Sequence, residues 1–341
     1  MRGVLFQGDR QCIVSDFADP EAGPGEVVVE MKAAAICGSD LHSYRQSAKA
    51  LGERLNVIPG HEPSGVVASV GPGVSKVQPG DRVSIYHYRG CGHCRYCHSG
   101  QMMWCSERRG YGGPIHGSDA DLLITDERNC LPLLPELSFI DGAFIACAGS
   151  TIWSSMKKLQ PSGRDALAVF GLGPIGLTGV MIGRALGARV IGVDVVPERL
   201  RLAFDLGAEE VVDASDTSEV AAAIRSWSRG EGADLALETS GTAQAHGDAI
   251  DSVRRGARIV FVGFGNRAES INPSAFINKQ LTLMGSFVGS IHEYWELAPF
   301  LVEKKLDLSR MVTHRFPLER AQEAFRVFDA GHTGKVVFEW P

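Results

Sequence analysis

The chain has 341 residues, 44% of them apolar and 22% charged, with a formal net charge of −6. That length suffices for two domains with proper cores, and the composition is that of a folded globular protein rather than a disordered one. The acidic balance argues against nucleic acid as the main partner, because phosphate binding needs a basic surface. The densest basic spots, Arg108-Arg109 and Arg254-Arg255-Gly-Ala-Arg258, read as solvated faces or turn ends. The opening MRGVLFQGDRQC lacks the apolar core of a signal peptide, and no apolar run reaches the roughly 18–20 residues that span a bilayer. The expected location is therefore cytoplasmic, with no membrane partner, in a compartment where disulfides are rare.

Taken in chain order, the first 145 or so residues carry short alternating runs, EVVVEMKAAAI (26–36), GVVASVG (65–71) and DRVSIYHY (81–88). Turn signals such as GPGE, GPGVS and QPGD separate them, which predicts antiparallel β structure of barrel type. Past residue 165 the texture changes. The runs ALAVFG (166–171), RVIGVD (189–194), EVVDA (210–214), DLALET (234–239), RIVFVG (258–263) and LTLMGS (281–286) alternate with helical stretches, which predicts a parallel sheet covered on both faces. The final 50 residues return to mixed structure with HRFPLERAQEAFRVFDA and GKVVFEW. They are expected to rejoin the first domain, because the parallel sheet is complete without them. The predicted division is 1–150 with 288–341, and 151–287.

Two local patterns carry chemistry. CGHCRYCHSGQMMWC, from Cys91 to Cys105, gathers four of the eight cysteines in C-x₂-C-x₂-C-x₇-C spacing. With disulfides disfavoured, a metal cage is the stronger of the readings left open. VFGLGPIG (169–176) places Gly171, Gly173 and Gly176 in G-x-G-x-x-G spacing after a buried strand and before a helix, the context a dinucleotide site needs. Pro174 and Ile175 open that helix, whose free N–H groups face the phosphates. Asp194 closes the second strand, 18 residues after Gly176. Its carboxylate suits the adenosine ribose hydroxyls and would repel a 2′-phosphate, so NAD is expected over NADP; Arg199 is the nearby cation that could serve a phosphate instead. An Asp that only caps the next helix is the alternative.

A third constellation completes the picture. ICGSDLH (36–42) and PGHEPSGVVASVGPGV (59–74) supply Cys37, Ser39, Asp40, His42, His61 and Glu62. Together with the cysteine loop and the glycine turn, in this order, they resemble the zinc-containing alcohol and polyol dehydrogenases of the medium-chain dehydrogenase/reductase family. That family's signature G-H-E-x-x-G-x₅-G-x-x-V is met at Gly60, His61, Glu62, Gly65, Gly71 and Val74. The resemblance covers essentially the whole chain. It implies a GroES-like β-barrel catalytic domain carrying both zinc sites, joined to a Rossmann NAD-binding domain.

The resemblance also implies roles. Cys91, Cys94, Cys97 and Cys105 would form a closed structural zinc site, which no substrate can reach. Cys37 and His61 match two ligands of the catalytic zinc. In FIACAGSTIWSSMKKL (144–159) Cys147 falls at the third, with Ala148 where the family usually has Gly, and a purely structural Cys147 is the alternative. Glu62 would approach this metal from behind and could ligate it transiently or replace a departing water, and Asp40 would orient His61. Ser39 and His42 match a proton relay, and Thr151 a residue packed on the nicotinamide. Thr239, Val262, Gly263, Ser286 and Phe287 fall at strand ends where cofactors lie. Tyr44, His87, Trp153 and Trp295 are candidates to line the substrate pocket, against an alternative of plain packing.

The implied reaction is oxidation of an alcohol, with zinc stabilising the alkoxide and hydride passing to the nicotinamide. Polar pocket edges point to a secondary alcohol, polyol or sugar-like substrate. An amino-alcohol (threonine-type) dehydrogenase and a non-catalytic NAD-binding protein retaining the fold stay open. A homodimer or homotetramer is expected.

Overall fold

The structure, a computed structural model, describes residues 1–215, 219–265 and 273–341. The chain divides into two units, Met1–Ser150 with Gly289–Pro341, and Thr151–Val288.

The first unit begins with the antiparallel hairpin of β1 (Arg2–Gly8) and β2 (Gln11–Asp16). β3 (Glu26–Ala35) is followed by two short helices, α1 (Asp40–Tyr44) and α2 (Ala48–Leu51), then by β4 (Pro63–Val70) and β5 (Arg82–Ile85). β6 (Tyr88–Arg89) and β7 (Arg109–Gly110) pair antiparallel at the base of the cysteine loop, which holds α3 (Arg95–His98). β8 (Leu122–Asp126) and β9 (Cys130–Pro132) complete this stretch. The sequence reads 81–88 as one strand, but the ladder breaks at Tyr86 and His87. Both side chains turn to main-chain carbonyls instead, Tyr86 Oη donating to Gly289 O at 2.9 Å and His87 Nδ1 lying 2.6 Å from Ala146 O. The unit's helical segment then runs through α4 (Phe139–Phe144), a π-helical turn (Ile145–Gly149) and the start of α5 (Ser150–Leu159).

In the second unit strands and helices alternate as the apolar runs require. They are β10 (Ala166–Phe170), α6 (Pro174–Ala185), β11 (Arg189–Asp194), α7 (Pro197–Asp205), β12 (Glu210–Asp213), α8 (Val220–Trp227), β13 (Ala233–Glu238), α9 (Ala243–Ser252), β14 (Val253–Phe261), α10 (Pro273–Ile277) and β15 (Thr282–Gly285). All pairings are parallel, in the order β12-β11-β10-β13-β14-β15. This is the doubly wound order whose chain reversal falls between β10 and β13, at the carboxyl end where nucleotides bind. Every residue of β10 is buried, as a strand covered on both faces demands.

The chain then returns to the first unit as α11 (Ile291–Lys304), β16 (Val312–Phe316), α12 (Ala321–Asp329) and β17 (Lys335–Glu339). β17 pairs antiparallel with the end of β3 while β8 occupies its beginning, so β3 is the shared centre of the sheet β16-β17-β3-β4-β5-β9. The core between this sheet, the hairpin and α12 holds Phe6, Met31, Val67, Phe325 and Phe338. Among the described residues no helix is long and apolar enough to cross a membrane.

Asp121 ties both chain ends to this unit. Its carboxylate accepts from Arg2 N (2.7 Å), Arg2 Nη2 (2.8 Å) and Trp340 Nε1 (2.9 Å). Burial alone would raise its pKa, but the bonds from Arg2 and Trp340 hold it down at about 2. A depressed carboxylate stabilises the fold above its unfolded pKa and ceases to do so as pH falls through the folded value. Asp121→Asn is therefore expected to cost about 1–2 kcal/mol at pH 7, after allowance for solvent screening. In urea unfolding the gap between the two proteins should be equal at pH 7 and pH 5 and close between about pH 4 and pH 2.

Candidate active site and structural metal cage

The Cys91, Cys94, Cys97 and Cys105 sulfurs all lie within 4.8 Å of one another. Cys91 Sγ is 3.9 Å and Cys94 Sγ 3.6 Å from Cys97 Sγ. Sulfurs at the corners of a tetrahedron about 2.3 Å from Zn²⁺ sit about 3.8 Å apart, so the thiols already have the spacing of a zinc cage. All eight cysteines are free thiols, which removes the disulfide reading. Without a cation the cage cannot be fully ionised. The His93 amide first, with neighbouring amides and thiols, lowers the Cys91 pKa to about 6, while burial and the neighbouring thiols push Cys97 up to about 12. Four donors from one loop leave no open position.

The second group is built from three separate elements. Cys37 follows the end of β3, His61 and Glu62 precede β4, and Cys147 sits in the middle of the π-helical turn. Their ligand atoms also fall within 4.8 Å of one another, and Cys37, Glu62 and Cys147 are buried. A π turn inserts one residue into a helix and swings the following side chains round, a device concentrated at functional sites. Here it lies between α4 and α5 and carries Cys147 to Cys37. The two sulfurs share a proton: hydrogen bonding to Cys147 holds the Cys37 pKa well below that of a free thiol, and the same bond, with burial, drives Cys147 well above it. Burial would lower His61, but the charges of Asp40 and Cys37 raise it well above an ordinary imidazole. A divalent cation would replace both protons and satisfy all three donors.

Neighbouring side chains fix this arrangement. Asp40 Oδ2 accepts from Cys37 N at 2.8 Å, and Asp40 Oδ1 lies 3.0 Å from His61 Nδ1. An N–H at Nδ1 leaves the Nε2 lone pair for a metal, the usual carboxylate–histidine arrangement. Ser39 Oγ is 3.5 Å from that Nε2. Gly60 has φ +91°, and a Cβ there would meet Asp119 Oδ1 at 2.1 Å, so the turn that presents His61 requires glycine. Glu62 is wholly buried and paired with Lys335 of β17, itself 1% exposed. Lys335 Nζ is 2.7 Å from both carboxylate oxygens but makes a hydrogen bond only to Oε1, leaving Glu62 Oε2 without a hydrogen-bond partner among the described residues. Burial pushes the Glu62 carboxyl up to about 8 against the opposing pull of Lys335. Glu62 Oε2 therefore stays available beside Cys37, His61 and Cys147, and a tetrahedral ion held by the two sulfurs and the imidazole would have one further position.

The glycine turn has the geometry the spacing predicts. Gly171 has φ +82°, and a Cβ at Gly176 would strike Gly171 O at 1.8 Å, whereas a Cβ at Gly173 would meet nothing within 4 Å. That open space lies at the start of α6, where Pro174 and Ile175 begin the helix. Thr239 donates to Gly171 O at 2.6 Å and so holds the turn. Asp194 is buried, with Oδ1 accepting from Val195 N (2.8 Å) and Val196 N (2.9 Å) and Oδ2 accepting from Leu172 N. It thus caps the segment before α7 and reaches into the glycine turn together. Arg199 lies half-buried on α7. Val262 N and Gly263 N both donate to Glu238 O, and Ser286 Oγ accepts from Lys158 at 3.0 Å. Phe287 packs edge-on against Phe264, and the Thr151 hydroxyl is buried without a partner among the described residues.

His87 lies beside the metal group, its ring 5.6 Å from that of His61. Burial and the neighbouring His61 lower it to about 4, so it is neutral at physiological pH. Tyr44 departs from expectation. It is 1% exposed and stacked at 5.2 Å on Phe325, with Phe6 at 5.6 Å, because its ring fills the core that α12 closes. Tyr44 is a packing residue and not a pocket wall. Trp295 is 54% exposed on α11 with its ring edge on Tyr294, Trp153 is half-buried on α5, and His42 is exposed on α1. Sequence reasoning passed over Lys335 and Asp119. Lys335 stands at the head of the apolar VVF, a position whose burial is the only signal of a buried partner. Asp119 is fully buried with both oxygens unbonded among the described residues, and burial drives its pKa well above the usual carboxylate range.

Two family models match the chain, the alcohol dehydrogenase GroES-like domain over residues 23–136 and the zinc-binding dehydrogenase over residues 174–303. An uncharacterized zinc-type alcohol dehydrogenase-like protein, YphC of Escherichia coli, is 34% identical over 350 residues, covering 100% of this chain and 99% of its own. L-threonine 3-dehydrogenase of Rhizobium etli is 33% identical over 331 residues, covering 96% and 94%. Among solved structures, alcohol dehydrogenase TADH from Thermus sp. ATN1 superimposes with a TM-score of 0.91 at 31% identity, covering 99% of each chain.

Two outcomes follow from this geometry. Cys97→Ser should remove one zinc per chain and lower Tm by at least about 5 °C, whereas Cys37→Ser should remove the other zinc and abolish turnover; metal analysis with parallel melting curves checks both. Lys335→Met leaves the buried Glu62 carboxyl without its hydrogen-bond donor and should cost about 1–3 kcal/mol in urea unfolding at pH 7.

Proposed function

The chain belongs to the zinc-binding alcohol dehydrogenase family, and we propose that it oxidises a secondary alcohol, polyol or sugar-like substrate to the ketone with NAD as hydride acceptor. One observation carries the reading: two buried thiols and an imidazole converge from separate elements on one point, beside a Glu62 carboxyl that Lys335 hydrogen-bonds. Bound zinc supplies Lewis acidity towards a hydroxyl, and bound NAD accepts the hydride. The chain's own residues do the rest. Asp40 orients Cys37 and His61, and His87 contributes a neutral polar wall. Ser39, 3.5 Å from His61 Nε2 and exposed, relays the proton released by the substrate hydroxyl, accepting it as it gives up its own towards exposed His42, which hands a proton to solvent.

On the cofactor side, Gly171, Gly173 and Gly176 admit the pyrophosphate, Asp194 selects the unphosphorylated ribose, and Thr151 supports the nicotinamide. A second reading, oxidation of an amino alcohol of the threonine type, is favoured by the threonine dehydrogenase relative. The strand β15 ends its sheet with a largely exposed edge, which supports self-association of the chain as a dimer or tetramer through that edge.

A screen for NADH formation tests the proposal. Secondary alcohols, polyols and amino alcohols should exceed simple primary alcohols in kcat/KM, and NAD should exceed NADP by at least about ten-fold. Asp194→Gly should narrow that cofactor preference to within a few-fold. Far higher kcat/KM on primary alcohols would overturn the substrate class, and no turnover of any alcohol by zinc-replete protein would overturn the reaction.

A further inference from the structure

Arg108, exposed beside the β6–β7 pair, lies against the tyrosine that adjoins His87 of the metal group. β6 and β7 pair Tyr88 with Gly110 and Arg89 with Arg109. Side chains alternate along a strand, so Arg89 and Arg109 share one face, while Tyr88, Gly110 and the preceding Arg108 share the other. Arg89 is neutralised on its face by Glu26 at 2.8 Å and Asp126 at 2.5 Å. On the other face, a Cβ at Gly110 would come within 3.2 Å of Tyr88 Cε1, so the glycine is what lets the Tyr88 ring lie across the ladder. The Arg108 guanidinium carbon sits 5.9 Å from that ring's centroid.

This face leads to the metal group. The Tyr88 ring is 4.6 Å from the His87 ring, and His87 is 5.6 Å from His61. The Tyr88 phenol feels the charges of both His61 and Cys147 as well as that of Arg108. Nearer the metal group, Lys335 pairs with Glu62 and Asp40 with His61. Arg108 is exposed and its guanidinium hydrogen-bonds the Tyr88 phenol, with no salt bridge to a carboxylate among the described residues. The chain holds 40 acidic against 34 basic side chains, so the lack of a salt bridge is not for want of acids. Guanidinium groups bind carboxylate and phosphate through paired N–H donors, and an unmatched one beside a substrate position selects for such a group.

We propose that Arg108 is a specificity-determining residue and that the physiological substrate is a secondary alcohol carrying an anionic group, carboxylate or phosphate. The inference rests on the alcohol dehydrogenase reading and narrows its substrate. Arg109, one residue on and on the opposite face, has no part in it.

Matched pairs of compounds that differ only in the anion test it: L-threonine against 1-amino-2-propanol, and a hexitol 1-phosphate against the same hexitol. In at least one pair, kcat/KM for the anionic member should exceed that for the neutral member by ten-fold or more; the pair that responds separates carboxylate from phosphate. Arg108→Ala should bring this ratio to about one, mainly through the KM of the anionic member. Arg108→Lys should restore part of it, and Arg109→Ala should leave it as in the wild type. A wild-type ratio near one in both pairs, or equal losses on both members in Arg108→Ala, would overturn the inference and leave the alcohol dehydrogenase reading standing. If none of the four compounds is oxidised, titration calorimetry of the same compounds into zinc-loaded protein decides the matter. Anions that bind no tighter than their neutral partners, or equally to Arg108→Ala, then refute it independently of turnover.

Discussion

Two thiolates cannot occupy one buried spot without a cation. Cys37 and Cys147 meet in a region shielded from water, and the hydrogen bond between them holds the Cys37 thiol well below and drives the Cys147 thiol well above the ordinary thiol range. The neighbouring groups are arranged around the same conflict. His61 is turned by Asp40 so that its free nitrogen faces the sulfurs, and the Glu62 charge is drawn off by Lys335. Metal binding relieves the repulsion that folding creates, so site formation and metal affinity are one free energy seen from two sides.

The same metal chemistry serves opposite ends in the cysteine loop. There four donors come from a single stretch of 15 residues, and the cost of bringing them together is a loop-closure entropy that one ion offsets. At Cys37, His61 and Cys147 the donors come from the end of β3, the turn before β4 and a π turn, so the barrel itself has to hold them in place. Such a site can tolerate a missing fourth ligand because the scaffold, not the ion, fixes the other three. The closed cage and the open centre therefore differ in what is rigid first.

Much of this was legible in the sequence because it rests on residues whose chemistry is local. Gly60 and Gly171 adopt backbone angles that favour glycine, and the cysteine spacing encodes a loop that can wrap an ion. The six strands of the second unit follow from apolar runs that only a doubly covered sheet accepts. What the sequence could not convey depends on distant pairing. The Glu62–Lys335 pair spans 273 positions, and nothing near either residue announces the other. The π turn at Cys147 is a helix irregularity with no propensity signal. Tyr44 stays open between pocket wall and packing in the sequence because an aromatic a few residues from a ligand gives no sign of which way it faces; α12, far along the chain, supplies Phe325 and takes it into the core.

The reading of Arg108-Arg109 as a solvated pair shows how face, not proximity in sequence, decides a charge's role. A strand places consecutive residues on opposite sides, so two arginines that look like one basic spot are electrostatically distinct. One shares its side with Arg89, whose charge is already matched by Glu26 and Asp126. The other stands with Tyr88 and His87 and makes no salt bridge to a carboxylate among the described residues. Desolvating an unpaired guanidinium is unfavourable, and Arg108 is exposed. A substrate that brings its own negative charge removes this imbalance as it binds, so the missing carboxylate belongs to the ligand rather than to the fold.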